Sequence, residues 1–236
     1  MPPLKPTAAD LRNAAGKSIP DVIAPGLDVL FCGINPGLYS AATGCHFARP
    51  GNRFWTALHA AGFTPRRLQP WEREPMLASG CGVTNLVNRA TVAADELSVR
   101  ELRAGARRLA RKVARWRPRF VAVVGIGAYR AAFGRPRATM GRQPEGLGGA
   151  IIWVLPNTSG LNANHRPADF ARAFRALALA VQRRKKDAGR PGGQGDPRSG
   201  RRASGGSTVR GERTLPAPAG RSRARTSNQA REPPQA

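Results

Sequence analysis

Four short apolar runs, separated by segments of helical length, constrain this chain more than any other feature. They are Leu27–Ile34 (LDVLFCGI), Gly82–Val87 (GVTNLV), Phe120–Val124 (FVAVV) and Ile151–Leu155 (IIWVL). Each has the length and turn-bounded character of a buried strand. Between the first two, Asn52–Phe63 reads as a helix. Ser98 then opens another, with Ser98 and Glu101 forming a capping box. Leu102, Ala106, Leu109, Val113 and Trp116 follow at helical spacing, and Pro118 ends it. A last helix begins near Pro167 and sets Phe170, Phe174, Leu177 and Val181 on one face. Strands alternating with helices predict an α/β fold, a three-layer sandwich whose mainly parallel central sheet is flanked by helices. Ligands of such folds lie beyond the carboxyl ends of the strands. The loops after Ile34 and after Leu155 are therefore where chemistry is expected.

Composition divides the 236 residues. From Arg183 to Ala236 there is no aromatic residue, and Val209 and Leu215 are the only large aliphatic ones. That segment holds 14 Lys/Arg, 4 Asp/Glu, 9 Gly and 6 Pro, too little apolar surface to offset its ordering entropy. It is expected to be a disordered basic tail, residues 1–20 a flexible leader, and 21–182 the folded domain. The whole chain carries a net charge of +25, and residues 1–182, with 25 basic and 10 acidic residues, retain +15 of it. Such a surplus calls for a polyanionic partner, most simply nucleic acid, with an acidic membrane surface as the other candidate. No apolar run approaches the roughly 18–20 residues of a spanning helix, and the first residues lack a signal-peptide core. The expectation is a soluble, cytoplasmic protein. Cys32, Cys45 and Cys81 show no paired spacing, and His46, His59 and His165 are isolated, so neither a metal nor another cofactor is expected.

The first loop, Gly33-Ile34-Asn35-Pro36-Gly37, projects an amide from a rigid strand end. Taken alone, Asn35 reads as an Asx-turn residue. The second, Pro156-Asn157-Thr158-Ser159-Gly160-Leu161-Asn162, places Leu161 at its tip, where folding back onto the core is the simpler reading. Arg103, Arg107, Arg108, Arg111 and Arg115 share the outer face of the Ser98 helix, as a solvated face or a DNA-facing stripe. Gly125-Ile126-Gly127 lacks the third glycine of a dinucleotide turn and reads as a helix entry. Asp95 precedes the Ser98 helix and reads as a helix-start residue, with a catalytic base as the alternative. Trp153 reads as core.

Together the loops say more. APGLDVLFCGINPGLYSAATG, FARPGNRFW, CGVTNLVNRATV and IWVLPNTSGLN, in this order and spacing, resemble the mismatch-specific uracil/thymine-DNA glycosylases of the uracil-DNA glycosylase superfamily. The resemblance runs from about Ile23 to Val181. It implies that Asn35 positions the water that attacks the sugar C1′. It implies a base-binding pocket made of Ile34, Ser40, Phe47 and Asn157, with Phe47 stacking on the flipped base. It implies that Ser159, Gly160, Leu161 and Asn162 form a wedge that enters the duplex and contacts the orphaned guanine.

The chemistry suits these residue types. A base inside a duplex must be flipped out before it is reached, at a cost of a few kcal/mol that a mismatch lowers. An apolar wedge fills the vacated stack. An amide orients water but accepts no proton as a carboxylate does, which predicts slow excision. Bacterial relatives carry an arginine where this chain has Ala163; Asn162, Asn164 and Arg166 are the nearby substitutes. Asn85 stands where some relatives have lysine. The resemblance thus implies a monomeric, monofunctional DNA glycosylase, acting on uracil opposite guanine in double-stranded DNA, with ethenocytosine and, poorly, thymine as further substrates. The tail would add non-specific DNA contacts. The rival of another class is a non-catalytic, basic DNA-binding or architectural protein.

Overall fold

The computed structural model describes residues 3–160 and 166–188. In chain order the elements are α1 (Ala8–Asn13), β1 (Val29–Gly33), α2 (Leu38–Thr43), α3 (Phe54–Ala60), α4 (Arg73–Ala78), β2 (Cys81–Asn85), α5 (Val99–Trp116), β3 (Phe120–Val124), α6 (Ile126–Phe133), β4 (Gly141–Leu147), β5 (Ala150–Leu155) and α7 (Pro167–Ala188). The strands form one sheet in the order β2-β1-β3-β5-β4. The first four run parallel, and β4 pairs antiparallel with β5. The expected three-layer α/β sandwich is present.

Strand periodicity sorts the core into two layers. Val29 and Phe31 of β1, with Phe120, Ala122 and Val124 of β3, face a cluster containing Phe54 and Leu58 of α3 and Phe170, Phe174 and Leu177 of α7. Leu30, Cys32, Val121 and Val123 point the other way, onto Leu102, Leu109 and Val113 of α5 and Tyr129 of α6. Phe31 meets Phe54 edge-on at 5.3 Å and stacks with Phe174 at 5.9 Å. Both faces of the sheet are covered at its centre, which is why β1, β3 and β5 read as apolar runs. The predicted capping box is formed: Ser98 accepts from the Glu101 amide, and the Glu101 carboxylate accepts from the Ser98 amide at 2.9 Å. The helix ends at Trp116, where Arg117 turns left-handed at φ 49 before Pro118. Arg103, Arg107, Arg111 and Arg115 are exposed on its outer face.

The structure differs from the sequence expectations at both ends of the domain. The segment expected to be a flexible leader carries α1, capped reciprocally by Thr7 and Asp10. Ala14 and Ile19 behind it pack with Ala41 and Ala90 in a small cluster of their own. The apolar contribution comes from these two residues rather than from the short polar helix, so no periodicity announces it. At the other end α7 continues past 182 to Ala188. Arginine, lysine and alanine are good helix formers, and cations in a last turn complement the helix dipole. Lys185 also pairs with Asp28. The rest of the expected tail, residues 189–236, lies outside the described residues. A fifth strand, β4, was not expected either. Its sequence GRQPEGL is polar, and it lies at the sheet edge, where Pro144 falls within an irregular register. Trp153, expected in the core, is half-buried on β5. No helix among the described residues is long and apolar enough to cross a membrane.

Candidate active site

β1 leads to β2 on one side, while β3 on its other side leads on toward β5, so the connections from the carboxyl ends of β1 and β3 run in opposite directions. A crevice opens at such a switch point. Here it is a cleft of about 510 Å³, lined by Ile34 after β1, Asn85 at the end of β2, Val124 at the end of β3 and Asn157 after β5. The β1–β2 pairing continues into the loops: Leu86 donates to Gly33 O at 3.0 Å, Val87 to Ile34 O at 2.9 Å and Thr91 to Pro36 O at 3.2 Å. The first loop is thereby zipped to residues 86–91 along its length. Gly125, at φ 127, packs against two of these lining residues: an added Cβ would lie 3.1 Å from Ile34 Cδ1 and 3.9 Å from Asn157 Cβ. The residue expected to enter a helix does so, as the N-cap of α6.

Asn35 lines this cleft, and its amide orientation is fixed through nitrogen. Nδ2 donates to Arg89 O at 3.1 Å and to Thr91 Oγ1 at 2.7 Å. Thr91 Oγ1 in turn donates to Ala93 O at 2.7 Å, so its proton is committed and it can only accept from the amide. Arg89 is itself held: its guanidinium donates to the Glu101 carboxylate at 2.6 Å and to Glu96 O at 3.1 Å. That pairing and the cap bonds hold the Glu101 carboxyl down at about 2. A chain of contacts thus runs from the start of α5 to the Asn35 amide. With both Nδ2 protons engaged, Oδ1 is the end available for a water. Asp95 lies on the cleft lip, within a short turn at 94–96.

Part of the lining is aromatic. Phe47 stacks on Phe54 at 4.0 Å with 16° between the rings, and it lies between Phe54 and the cleft. Its φ is 53, a left-handed conformation that costs a non-glycine residue about 1–3 kcal/mol. Ser40, buried in α2, helps to hold it there by accepting from the Ala48 amide at 3.2 Å. Gly33 is a requirement of this wall, since a Cβ there would collide with Asn85 Oδ1 and sit 3.3 Å from the Phe47 ring. His46 is buried and also lines the cleft. Nε2 lies 3.0 Å from Pro20 O, and Nδ1 lies 3.4 Å from Asn85 Nδ2. A neutral imidazole with its proton on Nε2 satisfies both contacts. Burial lowers its pKa to about 4.

The second loop completes the cleft. Asn157 and Ser159 line it, and Asn157 Oδ1 accepts from the Ser159 amide at 3.0 Å, an Asx turn. Of the residues expected from the sequence, the structure brings Ile34, Asn35, Ser40, Phe47, Asn157 and Ser159 to one cleft. Gly160 follows as an exposed turn residue. Leu161 and Asn162, expected in the wedge, lie outside the described residues, as do Ala163 and Asn164. Arg166 is described, and its amide caps α7 through Asp169 at 2.9 Å. Sequence reasoning did not find His46 or Thr91. Both act through partners dozens of residues away, and neither stands in a pattern that periodicity or spacing exposes.

The model of the Uracil DNA glycosylase superfamily matches residues 20–178. A solution NMR structure of a candidate uracil DNA glycosylase from Methanosarcina acetivorans is similar at 17% identity, with a TM-score of 0.45 over 69% of this chain and 98% of that one. The family match takes in every strand, both loops and the cleft between them, and the chain belongs to the Uracil DNA glycosylase superfamily.

Proposed function

We propose that this member of the superfamily is a monofunctional glycosylase that removes uracil mispaired with guanine from double-stranded DNA and leaves an abasic site. Ethenocytosine and, poorly, thymine are further substrates in this reading, and the enzyme acts as a monomer. The observation that carries it is the Asn35 amide, tied down through nitrogen in a cleft that the Phe47 ring also lines. In this reading the flipped base stacks on Phe47, an interaction worth about 1–3 kcal/mol. The C1′–N1 bond breaks with its electron pair leaving on uracil N1, and positive charge spreads over C1′ and the ring oxygen. A water held by Asn35 Oδ1 then adds to C1′ and releases its proton to solvent. The amide takes no proton, so orientation rather than base catalysis supplies the rate. Neither loop contains a lysine, which leaves no amine there for a Schiff base and strand cleavage.

The direct test is Asn35→Ala. It should abolish excision while retaining preferential binding to a G:U duplex, because the amide positions water without gripping the strands. Excision within a few-fold of wild type would remove Asn35 from the mechanism and make Asp95 the first candidate.

A further inference from the structure

The GNRFW segment and the loop after β5 stand about a hundred residues apart in sequence and meet at Arg53. Arg53 Nη2 donates to Ser159 O at 2.8 Å, and the Arg53 amide donates to Thr158 O at 3.0 Å. The guanidinium lies over the Phe170 ring, 4.7 Å from its centroid. Gly51 comes so close that a Cβ on Gly160 would sit 3.0 Å from Gly51 O. Arg53 is also the N-cap of α3, and the next residue is Phe54, the ring beneath Phe47. It does not line the cleft itself.

We propose that Arg53 is a positioning residue that holds the loop after β5 at a fixed distance from the aromatic wall of the cleft. Its backbone and side chain grip two successive carbonyls, of Thr158 and Ser159, immediately before Gly160. The guanidinium rests over the Phe170 ring while it donates, so its position is set by a ring of the core rather than by the loop. Lysine offers a flexible point charge in place of that fork and does not reproduce the geometry. The loop is thereby referenced to the same helix that supports Phe47. Entry of the loop into a duplex and reception of the base then share one rigid frame. This inference rests on the glycosylase reading for its kinetic consequence but not for its structural one.

The test pairs Arg53→Met with Arg53→Lys and uses two readouts. Hydrogen exchange on the full-length protein should show faster exchange in peptides covering 156–160, with β1 and β3 as protected as in wild type, and more so for methionine than for lysine. Single-turnover excision at saturating enzyme should fall about tenfold or more on a G:U duplex, as expected for a displaced group near the reacting centre. Excision from the same uracil in a single strand, which needs no duplex entry, should fall much less. Unchanged exchange at 156–160 would overturn the proposal, and so would loss of protection throughout the domain, which would make Arg53 a general fold residue. Equal losses on duplex and single strand would also overturn it. If wild type excises from neither substrate, the glycosylase reading fails, while the exchange data still decide the role of Arg53.

Discussion

The Thr91 hydroxyl accepts a 2.7 Å hydrogen bond from Asn35 Nδ2 and donates its own to Ala93 O. This one-way arrangement decides which end of the Asn35 amide faces a water. Thr91→Val keeps the shape and removes the acceptor. The amide then retains Arg89 O alone as its anchor and can rotate. Excision at saturating enzyme should drop about tenfold, with a stability loss of about 1 kcal/mol. Single-turnover rates and thermal melts on the same preparations check both numbers. An unchanged rate would mean that Arg89 O suffices to orient the amide.

Phe47→Ala should remove the stacking platform. The predicted loss is about 1–3 kcal/mol in affinity for a duplex carrying an extrudable uracil. Affinity for a fully paired duplex, from which no base enters the cleft, should be unaltered. Titration of both duplexes with the variant measures the difference. Equal weakening on both would show that the ring supports the fold around Phe54 rather than the base.

His46 sets an acid limit on stability. Burial is the main cause of its low pKa. The charges of Arg73 and Lys112 act in the same direction, while the Pro20 carbonyl and Asp21 oppose it. The unfolded chain takes up the proton near pH 6.5, whereas the folded protein resists until about 4. Stability supplied by the neutral, buried ring is therefore complete above pH 6.5 and lost as pH falls through about 4. The loss reaches about 3 kcal/mol, at 1.36 kcal/mol per unit. Glu72 and Glu101, both held down at about 2, lose their support only below their ordinary value of 4.5. Melting curves between pH 7 and pH 5 should thus fall for wild type and stay nearly flat for His46→Gln. Parallel curves would place the sensitivity elsewhere.

Removing residues 189–236 deletes 10 arginines and 3 acidic residues and leaves the whole of α7. Affinity should fall for matched and mismatched duplexes alike, because phosphate contacts carry no information about the base. Each lost contact lowers the slope of log affinity against log salt by about 0.9. A salt slope identical to that of the full chain would show that the tail makes no DNA contact.

What was legible in the sequence was what periodicity and apolar runs encode. β1, β3 and β5 are covered on both faces, so Val29–Cys32 and Phe120–Val124 could be read directly. The Ser98–Glu101 box marked the start of α5, but not that Glu101 also grips Arg89 and, through it, the site. β4 was invisible because an edge strand with a proline, an exposed arginine and two glycines satisfies its pairing through β5 alone. α1 was missed because its anchoring residues, Ala14 and Ile19, lie outside the helix. In the site, Asn35, Phe47 and Asn157 stand in motif loops and were found. His46 and Thr91 were not, since their value lies in contacts with Pro20, Asn85 and Asn35 that only the fold brings together.

Excision is measured on a panel of end-labelled duplexes, identical except for one G:U, G:T, A:U or ethenocytosine:G pair. Each is incubated with excess enzyme and then treated with alkali to cut at abasic sites. A mismatch-specific glycosylase gives an alkali-dependent break at G:U and at ethenocytosine:G well above A:U, weak cutting at G:T, and no break without alkali. Intact strands from every duplex would contradict it and leave a DNA-binding protein without glycosylase chemistry.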